Sequence, residues 1–209
     1  MKLYSYIVKN DGGFAPNPFF GYCTLACCKP GIRKKAELGD WIIGLTPKAR
    51  GHKIVYFMQV EQDLTFDKYW KDHRFKVKRP TKGADRVAEL GDNIYKPSKD
   101  SVDGYVQRWS AHSGPKGFGK TENPDTKQRD LKGKRVLISQ NFTYFGSKPA
   151  DLPKTLNALI VARNHTVNRS EDVIRPFLEF EKGHHGLGVL ARPHQWTSKD
   201  ETWKSHACS

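Results

Sequence analysis

The chain has 209 residues, 37% hydrophobic and 11% aromatic, with 36 Lys and Arg against 22 Asp and Glu for a net charge of +14. That much apolar material supports a packed core and excludes a disordered chain. A charge so far from zero repels itself in the folded state and points to a polyanionic partner, and no segment has the ~18 apolar residues of a spanning helix or the paired basic and apolar faces of a membrane-surface helix.

The opening MKLYSYIVKND lacks the apolar core of a signal peptide. A cytoplasmic protein is expected. Its four cysteines, Cys23, Cys27, Cys28 and Cys208, make a poor disulfide framework and read as reduced thiols. KLYSYIVK reads as a buried strand ending at the turn signal Asp11-Gly12-Gly13. In FAPNPFFGYCTLACCKPGIRKKA a short helix is predicted from Tyr22 to Cys28, stopped by Pro30-Gly31. DWIIGLT and KIVYFMQVEQ follow as strands, and Thr65 is placed to cap a short helix over TFDKYWKD.

Residues 71–135 are rich in Lys, Arg, Gly, Pro, Asp and Ser with short apolar runs, and read as a basic, loop-rich insertion holding one or two short strands. Regular structure returns at KRVLISQ, NFTYFG and ALIVARNH. Ser170 caps a helix over EDVIRPFLEFEKG that Pro176 would kink or delay, and the last twenty residues read as weakly structured. Strands with short helices and no regular βαβ alternation predict an α+β fold, a curved sheet or small barrel, as a single domain over 1–209 with the 71–135 insertion inside it.

Gly114 to Thr121 satisfies the phosphate-loop pattern G-x-x-x-x-G-K-[ST]. The chemistry needs a buried strand before the loop and a helix after it. The preceding WSAHS is polar, and Glu122-Asn123-Pro124-Asp125 is read as forbidding a helix there. A basic loop whose lysines meet backbone phosphates is the better reading. No metal or cofactor is expected, since the adjacent His184-His185 and Cys27-Cys28 pairs point their ligand atoms apart. A nucleophilic Cys–His pair stays open, because spatial proximity is invisible in the sequence.

Two basic runs stand out: seven Lys and Arg from Lys71 to Arg86 and eight from Arg108 to Arg135. Lys76, Lys78, Arg79, Lys82, Arg108, Lys116 and Lys120 are the candidate phosphate-binding residues. Tyr69, Trp70, Phe75, Trp109 and Phe118 lie among these runs, where exposed rings stack on unpaired bases. A second cluster joins the rings of Phe14, Phe19, Phe20, Tyr22 and Trp41 to the polar Asn10, Asp11, Asn17 and Thr24. With Tyr144 and Phe145 from the FTYFG strand, these residue types suit a pocket that reads one extruded base. A core aromatic cluster is the alternative.

The order KLYSYIVKN, a basic Ile32-Arg33-Lys34-Lys35, then LGDWIIG and KIVYFMQVEQ resembles the opening half of EVE-type domains in the PUA-like superfamily, which includes the YTH readers of methylated adenine. FAPNPFFGYCTLACCKPGIRKKAELGDWIIG with the later FTYFGSKPADLP is similar, more closely, to the second of the nucleotide-modification-associated domains. The resemblance implies a system that makes, reads or restricts modified DNA bases, and a role in phage biology or bacterial defence. By position it implies a base pocket of Asn10, Asn17, Phe20, Tyr22, Thr24 and Trp41. The expected function is a non-catalytic binding module for a modified, flipped base, with DNA favoured over RNA and partner proteins from the modification system. The alternative is an enzyme acting on a base or nucleotide with Asp11, Cys23 or a histidine such as His185.

Overall fold

The computed structural model describes residues 1–162 and 164–197. In chain order its elements are β1 (Leu3–Ile7), β2 (Cys23–Leu25), α1 (Pro30–Lys35), β3 (Trp41–Leu45), β4 (Ile54–Gln59), β5 (Gln62–Thr65), α2 (Phe66–Lys71) and α3 (Arg86–Glu89). There follow β6 (Tyr95–Pro97), β7 (Tyr105–Gln107), α4 (Pro124–Leu131), β8 (Arg135–Ser139), β9 (Phe142–Tyr144), β10 (His165–Asn168), α5 (Glu171–Lys182) and β11 (Gly188–Val189). The fold is α+β, in two compact units. Met1–Gly12, Ala36–Glu61 and the described residues from Ser139 to Thr197 form the first; Gly13–Lys35 and Gln62–Ile138 form the second.

The first unit is built on a six-stranded sheet in the order β10-β1-β3-β4-β9-β11, with β1 parallel to β3 and β9 parallel to β11. The sheet is open, with β10 and β11 as its edges, so the barrel expected as one alternative is not closed among the described residues. One face, carrying Leu3, Trp41, Ile43, Leu45 and Phe57, packs with Val173, Ile174 and Phe177 of α5. The rings of Trp41, Phe57 and Phe177 meet edge to face at 5.3 to 5.9 Å. Such pairs add about 0.5–1.5 kcal/mol each beyond the area they bury. On the other face Tyr6 and Tyr56 share a hydroxyl hydrogen bond of 2.9 Å across Gly44, where a Cβ would stand 2.4 Å from the Tyr56 ring. Ser170 caps α5, accepting from Asp172 N at 3.3 Å, and the helix continues through Pro176.

The second unit has a three-stranded sheet, β2-β8-β5, and a β6–β7 hairpin. Thr65 caps α2 as expected, accepting from Lys68 N at 3.3 Å. Residues 71–135 fall in this unit and carry the helices α3 and α4 as well as the hairpin. Two local expectations are corrected. Cys23–Leu25 is a strand rather than part of a helix, because all three side chains are buried and β8 offers it an edge. Pro124 starts α4 instead of forbidding it: the first helical position needs no N–H, and Asn123 accepts from Thr126 N at 3.1 Å as the cap. Among the described residues no helix is long and apolar enough to cross a membrane. Residues 198–209, with Cys208 and most of the tail expected to be weakly structured, lie outside the described residues.

Candidate functional site

In the second unit the chain leaves β2 and turns sharply into α1. Cys28 (φ 58°) and Lys29 (φ 39°) both take the left-handed backbone that L residues avoid. Arg33, fully buried on α1, fixes this turn by donating to the carbonyls of Cys28, Arg135 and Asp130. Asp130 sits near the end of α4 with no exposed surface. Its Oδ1 accepts from Cys28 N at 2.7 Å, and its Oδ2 accepts from Tyr95 OH at 2.8 Å and His112 Nδ1 at 2.6 Å. The other ring nitrogen of His112, Nε2, lies 3.5 Å from Cys28 Sγ. A thiol, an imidazole and a carboxylate therefore stand in line, and the Phe14 ring meets the imidazole edge to face at 4.7 Å.

Burial disfavours charge on His112, but the Asp130 hydrogen bond and the contact with Cys28 outweigh it and push the imidazole up to about 9. Burial likewise works against the charge on Asp130, yet His112 and Arg33 hold the carboxyl below its usual range. Ligand atoms of Cys27, His112 and Asp130 also lie within 4.8 Å of one another, a spacing open to a cation. The chemistry does not fit one. Burial pushes the Cys27 thiol well up, its Sγ donates to Asp92 O, and both Asp130 oxygens already accept hydrogen bonds.

A second buried network surrounds Asp92, which accepts from Thr24 Oγ1 at 2.7 Å and Tyr69 OH at 2.8 Å. Lys78, also fully buried, donates to Asn17 Oδ1 (2.6 Å), Asn17 O (3.1 Å) and Tyr22 O (2.9 Å). Its ammonium is turned inward, and burial lowers it to about 8. Asn17 Nδ2 in turn donates to Gly13 O and Leu90 O. The whole set ties four separate stretches of the unit together.

Of the other candidate phosphate ligands, Lys76, Lys82, Arg108, Lys116 and Lys120 are exposed and Arg79 is half-buried. Arg79 stacks its guanidinium 4.0 Å from the centre of the Trp70 ring. With Pro80, Lys96 and Arg108 these two residues line a cavity of about 220 Å³. Arg79 Nε is buried without a hydrogen-bond partner. The phosphate-loop pattern, by contrast, closes on itself. Gly114 N donates to Thr121 O, Gly119 N to Ser113 O and Phe118 N to Ser110 O, so these amides do not face a phosphate.

The candidate base-pocket residues divide between the units. In the second, Phe14 packs on His112, Asn17 and Thr24 belong to the buried network, and Phe20 and Tyr22 stay half-exposed. In the first, Asp11 accepts from Tyr144 OH and from His194 N, and exposed Asn10 lies beside them. Burial raises the Asp11 carboxyl. Trp41 and Phe145 lie in the core under α5. Of the residues named for an enzymatic role, Cys23 is fully buried with its thiol pushed up, and His185 pairs with Glu181 one turn away.

The family model described as nucleotide modification associated domain 2 matches residues 1–200. The chain belongs to that family. No curated protein and no solved structure matches it. Membership associates the domain with nucleotide modification, in agreement with the resemblance carried by FAPNPFFGYCTLACCKPGIRKKAELGDWIIG. The sequence marks Cys28 only beside Cys27, as a pair unsuited to a metal, and Cys28, His112, Asp130 and Lys96 are not among the site residues expected from it. His112 lies 84 positions from Cys28 and Asp130 a further 18, with no motif spacing to join them. Adjacent cysteines before a Pro-Gly stop, where the chain must turn, are the one local signal for Cys28.

Proposed function

We propose that this domain binds nucleic acid in a DNA-modification system, the second unit holding backbone phosphates while half-exposed rings meet an unpaired, modified base. The Trp70–Arg79–Lys96–Arg108 cavity carries the reading. A guanidinium stacked on indole, with two further cations at the rim and an unpartnered buried N–H, suits an anionic phosphate next to a stacking base. Exposed Lys76, Lys82, Lys116 and Lys120 extend the same charge. Phe20 and Tyr22 are the half-exposed rings of the base-pocket set; Tyr22 is held at its carbonyl by Lys78 and packs edge-on against Phe75 at 5.2 Å.

The test is a titration of modified and unmodified oligonucleotides with rising salt, on the wild-type chain and on the double variant Lys96→Ala/Arg108→Ala. The double variant loses affinity for both, and the slope of log affinity against log salt becomes shallower by about 0.7–0.9 for each phosphate contact removed. An unchanged slope rules out this cavity as the phosphate site. Equal affinity for modified and unmodified strands at every salt concentration removes the base-reading half of the proposal.

A further inference from the structure

Beyond binding, we propose that Cys28, His112 and Asp130 form a thiol-based acyl-transfer site whose substrate is a carboxylic ester or amide. Three independent features support it. Among the described cysteines, Cys23 and Cys27 are buried and Cys28 alone reaches solvent. It does so from two consecutive left-handed residues, a strained turn that the buried Arg33 holds in place. The line from Sγ through the imidazole to the carboxylate has the spacing a nucleophile, its base and an orienting acid require.

Each step balances. In the state with one proton between Sγ and Nε2, reached as the imidazolium loses its second proton towards pH 9, Cys28 Sγ attacks the carbonyl carbon and forms the S–C bond while that proton is held by His112 Nε2. The C–O or C–N bond then breaks, the leaving alcohol or amine takes that proton, and a thioester remains on Cys28. His112 next removes a proton from water, the resulting hydroxide attacks the thioester, and the C–S bond breaks to give a carboxylic acid and the thiol. No electrons are exchanged, so no oxidant is needed. A dithiol mechanism would require a second accessible sulfur, and Cys27 is shut in the interior beside Asp92. Asp130 acts as a positioning residue: it holds Nδ1 so that Nε2 points at sulfur, and it grips the Cys28 amide. Arg129 Nη2 lies 3.5 Å from the same Nε2 and is half exposed, which favours substrates with an anionic group on that side.

The experiment uses the full chain with p-nitrophenyl acetate and iodoacetamide as probes and mass spectrometry to map the adducts. Expected are a burst of nitrophenol, an acetyl group on Cys28 and alkylation there faster than at any other cysteine. His112→Gln slows both reactions at least tenfold at neutral pH, while circular dichroism shows the fold retained. Asp130→Asn moves the His112 imidazole titration, followed by NMR, downward. An unchanged titration in Asp130→Asn would mean that the neighbours Arg129, Cys28, Cys27, Arg33 and Tyr95, and not Asp130, set the imidazole, and would overturn the positioning role. Alkylation of Cys28 at the rate of a free thiol, unchanged in His112→Gln, overturns the proposal. Neither probe involves nucleic acid, so failure here leaves the binding proposal intact, and loss of binding leaves this one intact.

Discussion

At the scale of single residues, most of the chemistry in the second unit converges on two buried carboxylates with opposite neighbours. Asp130 faces an imidazole and a guanidinium that keep it ionised; Asp92 faces a threonine, a tyrosine and the Lys78 ammonium, and burial raises it nonetheless. The pH dependence of stability follows from His112. Its folded-state value near 9 stands above 6.5, so the folded chain holds an extra proton between them. The stability this gives is complete below about 6.5 and is lost as the pH rises through 9. Lys78 has the opposite sign: lowered to about 8, it sheds its proton early in the folded chain, and stability recovers as the pH goes from 8 towards 10.5. Urea denaturation at a series of pH values is expected to show a decline between 6.5 and 9 in the wild-type chain that His112→Gln lacks. A decline of equal size in that variant would show that His112 is not its source. None of this was legible in the sequence, since pairing across 84 and 18 residues leaves no local mark. The phosphate-loop pattern shows the converse, a legible motif whose amides bond to its own loop.

Elements were legible where burial imposes a pattern. β1, β3, β4 and β8 are short apolar runs with nearly every residue buried, and they were read at their places from hydrophobicity alone. The caps at Thr65 and Ser170 were readable because a side-chain oxygen before a helix satisfies an otherwise open N–H. β2 and α4 were misread for opposite reasons. Cys23 in β2 and Cys27 just beyond it stand four apart and suit a helix face, yet the strand's form is set by a sheet partner more than a hundred residues away. α4 is so polar that it has no apolar stripe, and it stands through its cap and through buried Asp130 and Lys127. Its junction with β8 depends on Gly133, where a Cβ would come within 2.4 Å of the Arg33 guanidinium. Arg33 cannot swing aside without releasing three carbonyls. Gly133→Ala is therefore expected to cost about 1–3 kcal/mol, read as a lower urea midpoint at unchanged slope. A midpoint like the wild type would mean that this junction tolerates the shift and that Arg33 is held less tightly than its contacts imply.

Across the whole molecule the excess charge is unequally shared. Gly13–Lys35 and Gln62–Ile138 hold 22 Lys and Arg against 11 acids, so about 100 residues account for most of the +14. The first unit is instead a broad sheet with an apolar helix face, and its described ion pairs are few and mostly exposed. If phosphate binding drives association, the second unit must carry it, because counterion release scales with the number of cations placed on the backbone. Hydrogen–deuterium exchange of the full chain with a single-stranded oligonucleotide gives a test that needs no mutation. Protection is expected in peptides spanning Trp70 to Arg79 and Lys96 to Arg108, and it should fade as salt is raised. Slowed exchange centred on β1, β3 and β4, with residues 70–108 unchanged, would move the binding surface to the first unit. That unit also holds Asn10, Asp11 and Tyr144 from the aromatic and amide set, so protection reaching Asp11 together with residues 70–108 would mean that both groups of candidate residues respond to one ligand.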